Sequence, residues 1–152
     1  MSDSEPSRDP DPSTAILWTD GASRGNPGPA GIGVVLKTPS GEILATVARF
    51  LGETTNNVAE YRALLLGLET ALERGVKRLE VRADSELLIR QLLGKYRVRN
   101  EGLKPLFRRA QELLRGFQSF ELVHVRREQN AEADRLANEG IRRATRGASD
   151  DD

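Results

Sequence analysis

Tyr61, Leu64, Leu65, Leu68, Ala71 and Leu72 recur at helical spacing up to Gly75, between two stretches that read as strands. Before this stripe come two short apolar runs, Ile32–Leu36 and a loosely alternating Ile43–Phe50, separated by the turn Pro39-Ser40-Gly41. After it, Arg78–Ala83 alternates as a further strand and ends in Asp84. A strand, a long helix and a second strand imply parallel pairing, with the helix laid on a face of the sheet. That restricts the chain to a layered α/β architecture.

The remaining elements fit the same frame. Ala15–Trp18 is a first strand that stops at Thr19-Asp20-Gly21, followed by a loop rich in Gly, Pro and Asn. With the next two runs it makes a meander of two antiparallel hairpins. Leu87, Leu88, Gln91 and Leu92 predict a short helix closed by Gly94. Leu103, Leu106, Phe107, Ala110, Leu113 and Leu114 predict another, stopped by Gly116. Phe120–Val125 reads as a fifth strand, and Asn130 opens a last helix through Ile141. The expected order is βββαβααβα. Ligands of such sheets sit beyond the carboxyl ends of the strands, where Asp20 and Asp84 both fall.

The 152 residues suffice for one domain with a core. No apolar run of about 18 residues exists, so no membrane partner is expected. The absence of Cys excludes thiolate metal sites and a disulfide framework, which suits a cytoplasmic protein. Residues 1–14 and 144–152 are rich in Pro, Ser and Asp and are expected to be disordered acidic tails. They hold 7 acidic and 2 basic residues, which leaves 21 basic and 16 acidic in 15–143, a balance of +5. A mildly basic folded part is compatible with nucleic acid.

Four carboxylates stand at strand ends or first helical turns. Each has an ordinary explanation. Glu60 can form a capping box with Asn57, Asp84 can cap a helix, and Asp134 can complement a helix dipole. Asp20-Gly21 can be a simple turn. If they converge, their mutual repulsion calls for a divalent cation, and carboxylates without thiols suit Mg²⁺ or Mn²⁺. Two such ions can activate water and stabilise the leaving oxygen of a phosphodiester.

The segments Thr19-Asp20-Gly21 with Gly25-Asn26-Pro27-Gly28, Thr55-Asn56-Asn57-Val58-Ala59-Glu60, Asp84-Ser85 and Asn130-Ala131-Glu132-Ala133-Asp134 resemble type 1 ribonuclease H in order and spacing over about residues 15–143. The resemblance implies a ribonuclease H-like fold, a five-stranded mixed sheet in order 3-2-1-4-5 flanked by helices. It implies an endonuclease that hydrolyses the RNA strand of RNA–DNA hybrids with two Mg²⁺ ions, leaving 5′-phosphate and 3′-hydroxyl ends. Mn²⁺ is a substitute ion, double-stranded RNA a further candidate substrate, and a monomer the expected state. Asp20, Glu60, Asp84 and Asp134 match the metal-binding tetrad. Gly21, Asn56 and Asn57 match contacts to the RNA strand, Asn26 and Thr55 contacts to the DNA strand. Glu86 stands where many relatives have Gln, so a 2′-hydroxyl contact there would be acceptor-only. Of Asn56 and Asn57, one is expected to cap the helix.

Lys95, Arg97, Arg99, Lys104, Arg108 and Arg109 form the densest basic stretch, opposed by Glu101, and Arg97, Arg99 and Asn100 are taken as nucleic-acid contacts. Many relatives insert a basic, Trp-containing helix and loop here. This chain lacks it. Trp18 is expected in the core, and Tyr96 either on a sugar or on the helix behind it. Relatives often carry a loop His before the last Asp. His124 is this chain's one His, but it falls within the strand pattern, so the loop position passes to Arg127, with Arg126 as second choice. Arg cannot shuttle protons but binds phosphate. Two rival functions share these features: a non-catalytic nucleic-acid-binding domain, and another two-metal nuclease or strand transferase on the same fold. Retention of four acids opposes the first, and Asn-Pro-Gly-Pro with Thr-Thr-Asn-Asn opposes the second.

Overall fold

The computed structural model describes residues 13–150, with side chains placed through Arg146. Strands β1 (Thr14–Ser23), β2 (Gly28–Lys37), β3 (Ile43–Thr54), β4 (Arg78–Ala83) and β5 (Ser119–His124) form one sheet in the order β3-β2-β1-β4-β5. The first three are antiparallel neighbours, whereas β4 runs parallel to β1 and β5 parallel to β4. The helices are α1 (Asn56–Glu73), α2 (Glu86–Leu92), α3 (Lys104–Leu114) and α4 (Ala131–Asp150), with a 3₁₀ turn at Arg127–Asn130 leading into α4. The expected order and mixed sheet are therefore present. The 3₁₀ turn is an addition that periodicity did not signal.

Two layers of helix cover the sheet. On one face Leu17, Val34, Leu36 and Val81 pack with Tyr61, Leu64 and Leu68 of α1, and α3 closes the edge with Ala110, Leu113 and Leu114. Each large aliphatic side chain buried here contributes about 1.5–3 kcal/mol. On the other face Val35 meets Ala133 and Leu136 of α4, with Trp18 and Ala48 at the margin. β2 lies under helix on both faces, and it runs well beyond the expected Ile32–Leu36. Gly33 permits this second layer, because a Cβ there would collide with the Ala133 carbonyl of α4.

Gly75 and Gly94 end α1 and α2 in the left-handed conformation, at φ +80° in each case. In both, the next residue's N–H reaches back one further turn: Val76 to Ala71 O at 3.1 Å and Lys95 to Arg90 O at 2.8 Å. Trp18 is half-buried rather than core. Its ring packs beside the cluster of Val35, Ala133 and Leu136, 5.5 Å from the Lys37 ammonium and 5.1 Å from the Arg82 guanidinium.

Of the expected tail 1–14, only Ser13 and Thr14 are among the described residues, and Thr14 opens β1. Of the expected tail 144–152, α4 continues through Asp150, and 151–152 lie outside the described residues. Among the described residues no helix is long and apolar enough to cross a membrane.

Candidate active site

Strand register brings the first two acids together. Thr19 pairs with Ala83 as the last pair of the parallel β1–β4 ladder, so Asp20 and Asp84 follow it side by side. The first strand does not stop at Thr19-Asp20-Gly21 as expected, because β1 stays paired with β2 through Ser23. Glu60 comes from the first turns of α1, which starts directly after β3. Carboxylate oxygens of Asp20, Glu60 and Asp84 all lie within 4.8 Å of one another. Asp134, on the first turn of α4, lines the same cavity of about 540 Å³ and approaches Asp20 closely enough for one carboxyl to hydrogen-bond the other.

The ordinary explanations for these acids are displaced by their neighbours. The N-cap of α1 is Thr55, whose hydroxyl accepts from Val58 N–H at 3.3 Å. Neither Asn57 with Glu60 nor Asn56 or Asn57 alone caps it. The N-cap of α2 is Ser85, which accepts from Leu88 N–H at 3.2 Å, and not Asp84. Both caps are single hydroxyl residues with extended backbone, the conformation a cap requires. The carboxylates are thereby left free to face the cavity.

Glu60 is instead held by Gly21, whose N–H donates to its Oε1 at 3.0 Å. Gly21 must be glycine, since a Cβ would collide with the backbone of Ala59 and Glu60. Asp20 and Glu60 are 4% and 7% exposed. Burial, with the charges of Glu60 and Asp84 added, pushes the Asp20 carboxyl up to about 10. Burial pushes Glu60 up to about 8, partly offset by the Gly21 hydrogen bond and by Arg127. A cluster of oxygen donors that holds its protons this strongly is one that a divalent cation would relieve. Oxygen-only donors with open space beside them fit Mg²⁺ or Mn²⁺ chemistry.

Two asparagines complete the site: Asn130, which the sequence marks only as a helix opener within the last motif, and Asn138, which it does not mark. Asn130, 1% exposed, donates from Nδ2 to Thr19 O at 2.9 Å and to Asp84 Oδ1 at 3.3 Å. Asn138 donates to the Asp134 carbonyl at 2.9 Å and to its Oδ1 at 3.4 Å. Their signal was available in the spacing: each stands four residues from Asp134, one helical turn away.

Arg127 lines the cavity, whereas Arg126 does not. Arg126 gives its backbone N–H to Gln129 Oε1 at 3.1 Å at the start of the 3₁₀ turn. His124 is exposed at the end of β5 and does not line the cavity.

The expected nucleic-acid residues divide. Asn56 lines the acidic cavity, and its N–H donates to Asn26 Oδ1 at 3.0 Å, tying the β1–β2 loop to α1. Asn57 is exposed beside it. Glu86 is ion-paired with Arg90 at 2.7 Å on α2. Arg97 and Arg99 are exposed in the loop between α2 and α3, where Asn100 Oδ1 accepts from Gly102 N–H at 2.7 Å. Arg97 shares a cavity of about 640 Å³ with Lys95, Tyr96, Lys104 and Arg108. Lys104 meets Glu101 at 2.5 Å and Arg109 meets Glu69 at 3.8 Å, so the stretch is less free than its sequence suggests. Tyr96 packs under the Arg90 guanidinium, 5.5 Å from its ring, on the helix behind it.

Residues 18–140 match a family model described as reverse transcriptase-like. The chain is 46% identical over 124 residues to the ribonuclease HI of Halobacterium salinarum, covering 82% of this chain and 62% of that protein. It is 40% identical over 137 residues to a bifunctional protein of Mycobacterium tuberculosis, covering 90% of this chain and 38% of that protein. The chain thus spans less than two thirds of the length of these relatives. Its fold superimposes with a TM-score of 0.82 on LC11 RNase H1, solved in complex with an RNA/DNA hybrid, at 44% identity and covering 86% and 99% of the two chains.

Proposed function

Because the chain belongs to the type 1 ribonuclease H family, we propose that it hydrolyses the RNA strand of RNA–DNA hybrids as an endonuclease, leaving 5′-phosphate and 3′-hydroxyl ends. The observation that carries this is the convergence of Asp20, Glu60, Asp84 and Asp134, from four separate elements, into one open cavity with their capping duties taken over by Thr55 and Ser85.

Asp20, Glu60, Asp84 and Asp134 would hold two Mg²⁺ ions, with Mn²⁺ as a substitute. When bound, such ions supply charge neutralisation at the phosphate and a water of lowered pKa. The chain's own residues prepare the place. The Gly21 N–H orients Glu60, Asn130 orients Asp84 and ties it to the end of β1, and Asn138 orients Asp134. Arg127 brings a permanent positive charge to the border of the cavity, where it can take up a phosphate oxygen. Asn56 presents its amide to the same space, while Asn26 and Thr55 fix the loop and helix start around it. The 2′-hydroxyl is the feature that marks the RNA strand for such contacts.

The test is a cleavage assay on hybrid, duplex RNA and single-stranded RNA with and without Mg²⁺. Hybrid cleavage that stops with chelator, with product ends of the stated kind, is the expected result. Retention of hybrid without cleavage at any metal concentration would instead favour the non-catalytic binding domain.

A further inference from the structure

In the chain, residues that line the acidic cavity are followed by those of a second, positively charged one. Ser23 lines the acidic cavity and Arg24 follows it in the chain. Asn138 lines it too, and Arg142 stands one helical turn, about 6 Å, further along α4. Arg24, Arg142 and Arg146, with Thr145, line a separate cavity of about 420 Å³, and all three arginines are exposed. The carboxylate that meets this group is Glu139, 3.0 Å from Arg142, 3.6 Å from Arg143 and 3.7 Å from Arg146. One carboxylate thus answers three guanidinium groups, and Arg24 adds a fourth from the loop after β1, without an ion-pair partner among the described residues.

Planar guanidinium forks gathered in excess of carboxylates suit phosphate oxygens. A strand whose phosphate lies among the four acids continues over the border of that cavity. The residues that come next after its lining, Arg24 beyond β1 and Arg142 on α4, are basic on both sides. By contrast, the cavity at Lys95, Arg97 and Arg108 is lined from α2, α3 and the loop between them, by residues none of which is adjacent in the chain to one lining the acidic cavity. We propose that Arg24, Arg142 and Arg146 form a phosphate subsite for the RNA strand of a bound hybrid, extending its track past Asn138 along α4. The subsite rests on the hybrid being the substrate of the acidic cavity.

Hybrid affinity is measured against salt concentration in the Asp20→Asn background with Mg²⁺, so that strands stay intact. Arg24→Ala and Arg142→Ala should each weaken binding about tenfold at low salt. Each should lower the slope of log K on log salt by about 0.7–0.9, the loss of one phosphate contact. Arg143→Ala, which meets Glu139 but does not line the cavity, should do neither. A hybrid carrying one neutral methylphosphonate, scanned along the RNA strand, should weaken the parent at a position to which Arg142→Ala is indifferent. Unchanged slopes for Arg24→Ala and Arg142→Ala overturn the subsite. So does an equal effect of Arg143→Ala, or a sensitive position confined to the DNA strand. Either outcome with hybrid binding otherwise intact leaves the proposed function standing, whereas a parent that never holds hybrid overturns both.

Discussion

Asp20 is buried among three other acids, and replacing its carboxyl by an amide should separate chemistry from stability. Asp20→Asn is expected to abolish Mg²⁺-dependent hybrid cleavage while the metal-free protein melts several degrees higher, because burial and repulsion no longer work against a carboxylate. Cleavage within tenfold of the parent would remove Asp20 from the metal site. Arg127 differs from Arg126 by facing the cavity. A charge-assisted contact to phosphate is worth roughly 1.5–3 kcal/mol, so Arg127→Ala should lower turnover by about one to two orders of magnitude and affect hybrid affinity less. Lys at that position should rescue in part, as a point charge without a planar fork. Steady-state kinetics on both Ala variants decide the assignment, and Arg126→Ala should leave turnover near the parent's. His124→Ala should do the same, since the side chain is exposed beyond the site. A hundredfold loss there would place His124 in the chemistry after all.

At the scale of elements, α4 carries Asp134 and Asn138 on a helix that can approach the sheet only because β2 presents glycine. Gly33→Ala sets a methyl against the Ala133 carbonyl, one residue from Asp134. Overpacking of this kind typically costs about 1–3 kcal/mol, and the helix can relieve it only by lifting away from the sheet. The expected outcome is a lowered melting temperature together with weakened metal binding, since Asp134 moves with the helix. Calorimetry with and without Mg²⁺ checks both. Loss of stability with unaltered metal affinity would show that α4 does not set the site's geometry.

Across the whole molecule, the acidic cluster makes stability depend on pH in a definite direction. Asp20 and Glu60 titrate near 4 when unfolded and are pushed up to about 10 and about 8 when folded. The folded state therefore holds more protons, and metal-free stability falls as pH rises from about 4 through 8 and towards 10. Metal binding needs these groups ionised, so it releases protons and strengthens over the same range. Melting temperatures at pH 6, 8 and 9.5 should show the metal-free value falling and the gain on adding Mg²⁺ growing. A metal-free melting temperature that is flat or rising across this range would mean that the four acids do not burden the fold.

Apolar periodicity alone marked the five strands, the four α-helices and their order, because helix and strand bury their faces at different spacings whatever their surroundings. The parallel crossover followed from one helix standing between two strands, and Asp20 and Asp84 from where the apolar runs stop. Motif resemblance marked Glu60 and Asp134. The tertiary structure decided which of several adjacent polar residues does which task. Thr55 rather than Asn57, and Ser85 rather than Asp84, cap their helices, since capping depends on the backbone angles each position finally takes. Asn130 is buried between β1 and Asp84 by a 3₁₀ turn that has no apolar signature. The same turn sends Arg127, and not Arg126, to the acids. Glu86 and Lys104 find ion-pair partners within their own local segments. Spacing along the chain fixes which face a residue occupies, but a partner is chosen by distance in space, and that exists only after the layers have packed.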